Sequence, residues 1–230
     1  MAAAPARTFA ILPVKRFGDA KARLGDELSG GTRRALTEAM VTDVLMALRR
    51  TDAVHEVLLV TSEPAAEAIG RGYGANVVHD DAEAGQSAAA QIGIAHALEA
   101  GATRVLLVPG DCPALDPAEL GALLERPLER GLTIVPDRHG TGTNALLLTP
   151  PDVIEPAFGP GSRERHEAAA AAAGVPYGIE HVPTLALDVD TADDLVALRQ
   201  ALAQRRGGAA HTRGMLSRLA GRKRGTNPGP

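Results

Sequence analysis

The sequence predicts an α/β protein of Rossmann-like architecture, in which helices flank a mostly parallel mixed sheet. Short apolar runs alternate with amphipathic segments along most of the 230 residues. Runs such as VLLV have no polar face, which is typical of strands buried on both sides of a parallel sheet. Hydrophobic residues make up 45% of the chain, enough for one domain with a full core.

The first half of the chain alternates strand and helix from the start. FAILPV predicts a strand over 9–14. Apolar residues at four-residue spacing from Leu36 to Leu48 predict an amphipathic helix over 32–50. The remaining elements of this half are a strand over 56–62, a helix over 64–72, a strand over 76–80 and a helix over 87–101 that ends at Gly101.

The second half begins with a strand over 104–110 and a helix over 116–126 that has a proline in its first turn. The segment GSRERHEAAAAAAG predicts a helix because alanine is the best helix former, and Gly174 ends it. Thr191 is the predicted N-cap of the last helix. The other elements are strands over 132–137, 143–150 and 185–190 and a helix over 191–204.

Residues 205–230 differ in composition from the rest. They hold seven Lys and Arg and no acidic residue, so residues 1–204 hold 17 basic and 28 acidic residues, a net charge of −11. We expect 1–204 to form the domain and 205–230 to be a basic, Gly-rich, disordered tail. A solvated extension is the simpler interpretation, and contact with nucleic acid or membranes is the alternative.

Composition argues against several functions. Cys112 is the only cysteine, which excludes an internal disulfide and a multi-cysteine zinc site. Aromatic residues are 2% of the chain, too few for the base stacking of single-stranded nucleic-acid binders. The chain has no apolar run near the ~20 residues of a membrane span. The apolar stretch before Lys15 is too short for a signal peptide, so we expect a cytoplasmic protein.

Cations follow the first predicted strand. Ligands of such folds bind at the carboxyl ends of the strands, so this position favours a polyphosphate site within an acidic domain. The segment lacks the P-loop pattern, and a solvated basic loop is the alternative. The cations are Lys15, Arg16, Lys21 and Arg23.

Carboxylates follow two later strands. Asp111 ends the strand in LLVPGDCPAL, and Asp188 and Asp190 lie two residues apart in LALDVD. Residues two apart on a strand share a face, so these three carboxylates predict a hard oxygen site for Mg²⁺. Capping of the last helix is the alternative role for Asp190.

Two glycine-containing helix starts complete the candidates. Gly85 and Gln86 precede a helix, where Gln86 suits recognition of a base edge, although an N-cap by Ser87 is the alternative. Thr143 follows the Gly140–Gly142 loop, and Gly159 and Ser162 precede another helix, which predicts a second anion site. An ordinary Gly-Pro turn is the alternative there.

Six motifs in order carry a family resemblance: AILPVKRFGDAKARL, GQSAAAQIGIAHA, VLLVPGDCPAL, GTGTNALLL, FGPGSRERH and LALDVDTADDL. Together they resemble the guanylyltransferases of coenzyme F420 biosynthesis, which act on 2-phospho-L-lactate or, in actinobacteria, on phosphoenolpyruvate. The resemblance covers roughly residues 8–204. It implies a GT-A-type nucleotidyltransferase fold and a reaction of GTP with a three-carbon phospho-acid.

The resemblance also implies roles for the candidate residues. Mg²⁺ would be held by Asp111, Asp188 and Asp190, and the phospho-acid by Thr143, Gly159 and Ser162. The GTP phosphates would meet Lys15, Lys21 and Arg23, and the base would lie near Gly85 and Gln86. Lys15, Lys21 and Asp111 would be the catalytic residues.

The Ala-, Arg- and Gly-rich composition resembles that of actinobacterial proteins and favours phosphoenolpyruvate as the acceptor, with enolpyruvoyl-2-diphospho-5'-guanosine as product. The alternatives are 2-phospho-L-lactate and another nucleotidyltransferase, such as molybdenum cofactor guanylyltransferase. That sister group usually begins with a LAGGxGxR-type loop, whereas LPVKRFGDAKAR stands here. The resemblance further implies hand-over of an unstable product to a downstream deazaflavin transferase.

Overall fold

One sheet with helices on both faces organises the chain. The computed structural model describes residues 6–18, 21–25, 27–126 and 130–225. The strands in this part are β1 (Thr8–Val14), β2 (Glu56–Thr61), β3 (Asn76–His79), β4 (Arg104–Leu107), β5 (Gly131–Pro136), β6 (Thr143–Thr149) and β7 (Tyr177–Ile179). They form a single sheet in the order β3-β2-β1-β4-β6-β5-β7.

Strand direction decides what lies at each edge of this sheet. β1 pairs in parallel with β2 and β4, β2 with β3, and β5 with β7. β6 alone is reversed, since it runs antiparallel to both β4 and β5. The predicted mostly parallel mixed sheet is therefore confirmed. The reversal brings the start of β6, at Thr143, to the edge where the parallel strands end, which we name the carboxyl edge.

The helices begin at recognisable caps. Ser29 and Asp116 accept hydrogen bonds from backbone amides of the helices that they precede, and Thr191 forms a capping box with Asp194. None of the helices in the described ranges is long and apolar enough to cross a bilayer. The helices are α1 (Gly30–Arg49), α2 (Pro64–Gly72), α3 (Gln86–Glu99), α4 (Pro117–Leu124), α5 (Ser162–Ala172), α6 (Ala192–Ala203) and α7 (Ala210–Gly225).

Side-chain alternation along β1 builds a core on each face. Ala10 and Leu12 belong to the cluster that contains residues of α1 and α4. Phe9 and Ile11 belong to the opposite cluster, which contains residues of α3. Successive side chains of a strand point to opposite faces, so one apolar run serves both cores.

The prediction of a disordered tail over 205–230 is wrong for the part that is described. Helix α7 packs on α1 and α6, and Leu216 and Leu219 are buried in a third apolar cluster. Asp43 of α1 accepts hydrogen bonds from the backbone amides of His211 (3.1 Å) and Thr212 (2.7 Å), so it caps α7 from outside. Although this segment is basic overall, it contains a few apolar residues, and these suffice to pack α7 against α1 and α6. Residues 226–230 lie outside the described residues.

The predicted strand over 185–190 is also wrong. This segment forms a turn followed by residues outside any strand, and the amide of Val189 donates to the carbonyl of Asp111 (3.1 Å). Leu185 and Val189 are fully buried, so the apolar pattern correctly indicated burial without indicating a ladder. The last place in the sheet is taken instead by the short strand β7, which the sequence analysis did not predict.

Candidate functional site

A cavity of about 510 Å³ opens at the carboxyl edge, between the ends of β1 and β4 and the start of α3. The sequence analysis placed twelve residues in candidate sites, and the structure brings seven of them together around this space. The seven are Lys15, Arg16, Lys21, Gly85, Gln86, Asp111 and Asp190.

Lys21 lies at the centre of the charged groups. It has left-handed backbone angles (φ 60°, ψ 40°), and only 7% of its side chain is exposed. Its ammonium donates to Asp111 Oδ2 and to Asp190 Oδ1 (2.9 Å). Burial alone would lower the pKa of Lys21, but the two carboxylates outweigh burial and raise the pKa above its ordinary value. The amine is therefore a fixed positive charge and not a base.

Asp111 keeps one oxygen without a partner. Its Oδ1 is buried and accepts no hydrogen bond, which is costly for a carboxylate. A hard, desolvated oxygen of this kind fits a divalent cation. In the described ranges, no group of three or more His, Cys, Asp or Glu side chains is arranged to hold a metal ion. Mg²⁺ usually binds through one or two carboxylates together with substrate phosphates, so this arrangement is compatible with Mg²⁺.

Asp188 is not among the residues that line the cavity. Its carboxylate accepts a hydrogen bond from Asn144 Nδ2 (3.2 Å). Burial, and then the nearby charge of Asp111, raise the pKa of Asp188, while the Asn144 bond opposes the rise. Asp188 and Asp190 therefore have different partners, although their spacing had suggested one shared face.

The cationic segment after β1 is anchored by a buried acid. Glu63 accepts a hydrogen bond from the backbone amide of Phe17 (3.0 Å) and forms an ion pair with Arg34 (3.1 Å). Phe17 is itself buried. This anchor holds Lys15 at the cavity, whereas Arg23 is exposed and lies outside its lining.

The first backbone amides of α3 are not capped by a side chain. Gly85 is the N-cap residue, with a φ of 110° that favours glycine, and no side chain caps the helix. The alternative in which Ser87 caps α3 is wrong. Ser87 Oγ accepts instead from the amide of Phe158 (2.9 Å). That bond links the start of α3 to the loop before α5.

The second group of candidates forms a separate cluster. The amide of Thr143 donates to Ser162 Oγ (2.8 Å), and Thr143 Oγ1 is 3.0 Å from His166 Nδ1. Gly159 has a φ of 112° and accepts a bond from the amide of Ser162 (3.0 Å). Arg165 donates to the carbonyl oxygens of residues 157, 158 and 160 and closes this loop. The cluster lies outside the lining of the cavity.

Sequence reasoning missed four residues that form or support the cavity and the neighbouring cluster. Asp80 directly follows β3 and lines the cavity, so inspection of the residues after each strand would have found it. His166 stands four residues after Ser162 on one helix face, which is also a readable spacing. Glu63 and Asn144 act through contacts that are distant in sequence and carry no local signal.

Cys112 is no candidate nucleophile. The thiol is fully buried and donates to the carbonyl of Leu185 (3.3 Å). Burial, and then Asp111, raise its pKa well above the ordinary value, so the thiolate is disfavoured. The site thus offers fixed charges and oriented amides, which suit transfer of a phosphorus group by positioning and charge neutralisation.

Comparison with known proteins agrees with this chemistry. The family described as "Guanylyl transferase CofC like" matches residues 8–218. A protein of Conexibacter woesei named phosphoenolpyruvate guanylyltransferase is 58% identical over 214 residues, which cover 92% of this chain and 96% of that one. One of the same name from Sphaerobacter thermophilus is 39% identical over 191 residues, covering 83% and 92%.

Solved structures agree at the level of the fold. A nucleotide-diphospho-sugar transferase from Desulfovibrio desulfuricans G20 superposes with a TM-score of 0.74 at 17% identity, covering 97% of this chain and all of that one. A nucleotidyl transferase from Methanothermobacter superposes with a TM-score of 0.62 at 21% identity, covering 86% and 99%. The expected GT-A-type nucleotidyltransferase fold is thereby confirmed.

Proposed function

Because this chain belongs to the CofC-like guanylyltransferase family, we propose that it transfers GMP from GTP to phosphoenolpyruvate. The products are enolpyruvoyl-2-diphospho-5'-guanosine and pyrophosphate, and the pathway is coenzyme F420 biosynthesis. The relatives named above favour phosphoenolpyruvate over 2-phospho-L-lactate, because both carry the former in their names. The structural observation that carries the proposal is the buried Lys21 between two carboxylates in a cavity lined by further cations.

In this proposal GTP occupies the cavity. Lys15 and Lys21 neutralise its phosphates, while Arg23 approaches them from the exposed loop. Gly85 and Gln86 lie beside the base, where the free amides at the start of α3 supply donors.

Mg²⁺ is the proposed metal, and Asp111 and Asp190 would hold it, whereas Asp188, which the resemblance also assigned to the metal, does not line the cavity. The orphaned oxygen of Asp111 supports this assignment. A bound Mg²⁺ supplies charge neutralisation for the phosphates of the nucleotide.

The phospho-acid occupies the neighbouring cluster of Thr143, Gly159 and Ser162. The amides at the start of α5 suit an anion there. The Ser87–Phe158 bond joins this cluster to the nucleotide cavity, so the two substrates can meet at one edge.

The reaction needs no general base. The phosphate of the acid is already ionised near neutral pH, and one of its oxygens forms a bond to the α-phosphorus of GTP. The bond from that phosphorus to the bridging oxygen breaks, and pyrophosphate leaves with the electron pair. Lys15 and Lys21 offset charge on the phosphates, which explains a site built from fixed charges.

The product is an unstable mixed diphosphate, and we propose that a downstream deazaflavin transferase takes it over. We place this chemistry in the cytoplasm, where both substrates are available.

The test measures pyrophosphate release with GTP, Mg²⁺ and one phospho-acid at a time. The downstream transferase and its deazaflavin acceptor are included to trap the product. We expect turnover with phosphoenolpyruvate. Turnover with 2-phospho-L-lactate alone would identify that acid as the substrate. No turnover with either acid, despite GTP binding, would favour a sister nucleotidyltransferase.

A further inference from the structure

His166 is the most buried polar residue of the cluster that it forms with Thr143, Gly159 and Ser162, and it has no exposed surface. Both of its ring nitrogens are engaged. Nε2 lies 2.9 Å from the backbone amide of Ala157, and Nδ1 lies 3.0 Å from Thr143 Oγ1. The ring also meets the edge of Phe158, with centroids 5.4 Å apart. One side chain therefore joins α5, β6 and the loop before α5.

These contacts determine which nitrogen carries the proton. A backbone N–H can only donate, so Nε2 accepts from Ala157 and the ring proton must lie on Nδ1. Nδ1–H then donates to Thr143 Oγ1. Burial, and then the charge of Arg165, lower the pKa of His166 to about 4, so the ring is neutral at physiological pH. The tautomer and the charge state agree with each other.

The direction of this bond has a consequence for Thr143. Its hydroxyl oxygen is occupied by the imidazole N–H, which leaves the hydroxyl proton to be donated elsewhere. The amide of Thr143 is held by Ser162 Oγ, so backbone and side chain are both fixed. A phosphate or carboxylate beside this residue would meet an oriented O–H donor.

We propose that His166 is a positioning residue for the phospho-acid: it orients the Thr143 hydroxyl as a donor to that substrate and holds the Ala157–Gly159 backbone beside it. This inference rests on the proposed function and goes beyond it, because His166 itself touches neither substrate. His166 acts on an anionic substrate through the hydroxyl of Thr143 and the backbone amide of Ala157, which it contacts.

Two substitutions separate the two bonds. In His166→Asn the amide nitrogen can replace Nδ1 as the donor to Thr143. In His166→Gln the longer amide reaches toward Ala157 and leaves Thr143 without its donor. We expect His166→Gln to raise the KM for phosphoenolpyruvate about tenfold, because the substrate loses one charge-assisted hydrogen bond from the Thr143 hydroxyl. We expect an unchanged KM for GTP and a smaller effect in His166→Asn. His96→Gln, at an exposed position of α3, is the matched control.

A double-mutant cycle with Thr143→Val tests whether His166 acts through the hydroxyl. If it does, His166→Gln adds little once the hydroxyl is gone. Additive losses, or an equal rise in the KM for GTP, would overturn the inference in favour of a purely structural role. A wild-type chain with no turnover of either phospho-acid would instead overturn the proposed function, and the inference with it.

The wild-type protein supplies a test that does not depend on folding of a variant. Nitrogen-15 NMR of the histidine ring distinguishes a protonated Nδ1 from a protonated Nε2. We expect the Nδ1–H tautomer, with no titration between pH 5 and pH 8 as follows from the pKa of about 4. A protonated Nε2 would contradict the proposed orientation of Thr143.

Discussion

Asp111 combines two roles in one carboxylate, since one oxygen accepts from Lys21 and the other is buried without a partner. We predict that Asp111→Asn lowers turnover by at least about 10²-fold, because a neutral amide neither binds a cation strongly nor balances Lys21. Stability should also fall, because Lys21 stays buried with Asp190 as its remaining carboxylate.

Asp152→Asn, at an exposed position, is the control. Steady-state kinetics and thermal unfolding measure the two effects. Activity within about tenfold of wild type would contradict the assignment of Asp111 to the metal and to catalysis.

His166 gives stability a pH dependence. Its folded pKa of about 4 lies below the ordinary value of 6.5, so the unfolded chain binds the proton more readily between these values. Stability is therefore complete above pH 6.5 and falls as the pH drops toward 4, by up to about 3 kcal/mol from this group. The measurement compares unfolding free energies of wild type and His166→Gln from pH 4 to pH 7. We expect their difference to shrink toward low pH, and a constant difference would argue against a buried neutral ring.

The residues that sequence reasoning located are those defined by local position. Asp111 and Lys15 follow strands, and Gly85 begins a helix, so each had a signal in its own neighbourhood. Glu63 and Asn144 had none, because they act through hydrogen bonds to Phe17 and Leu185, 46 and 41 residues away. Such contacts exist only after the chain has folded.

Helix α3 lies unusually close to the sheet at Gly93. A Cβ there would overlap Ile11 Cγ2 and lie 3.1 Å from Val60 Cγ2. We predict that Gly93→Ala destabilises the protein by about 1–3 kcal/mol, because the packed core must shift to accept a methyl group.

Gly121→Ala in α4 is a matched control, since no atom lies within 4 Å of the added carbon. We expect it to stabilise by about 0.5–1 kcal/mol through helix propensity. Chemical denaturation of both variants checks the pair, and equal effects would show that the close contact at Gly93 is not decisive.

The docking of α7 depends on a cap supplied by another helix. We predict that Asp43→Ala costs about 1–2 kcal/mol and lowers hydrogen-exchange protection in residues 211–219, because two amides lose their acceptor. Protection in β1 should persist. Asp52→Ala, at an exposed position just after α1, is the control. Unchanged exchange in α7 would mean that its apolar contacts alone hold it.

Element prediction succeeded where local signals marked an element and failed where tertiary contacts decided its conformation. The helix over 64–72 was predicted with the bounds that the structure has, because a proline begins it and apolar spacing continues to its end. The segment over 185–190 has strand-like composition, but its neighbour is the end of β4, where few ladder partners remain. Its conformation follows from that position and not from its own sequence.

At the scale of the molecule, the reversed strand β6 places both proposed substrate sites at one edge. Neither Cys112 nor His166, both buried and engaged, can form a covalent intermediate. We therefore predict a sequential mechanism, in which both substrates must bind before pyrophosphate leaves.

Initial-rate patterns should intersect, and the enzyme should not exchange labelled pyrophosphate into GTP when the phospho-acid is absent. Parallel lines with rapid exchange would instead indicate a guanylylated enzyme.

The fold class could be predicted from alternating elements alone, but the single reversed strand could not. Its apolar run TNALLLT carries no mark of direction.

The direction of β1 has a practical meaning. β1 starts beside the start of β4, with Thr8 opposite Arg104, so Arg7, directly ahead of β1, lies at the edge opposite the one that holds the cavity. A carrier protein, fluorescent reporter or solid support joined at Ala6 would therefore attach on the far side of the molecule. The enzyme could be tethered there, alone or fused to the next enzyme of its pathway, with its entrance left open.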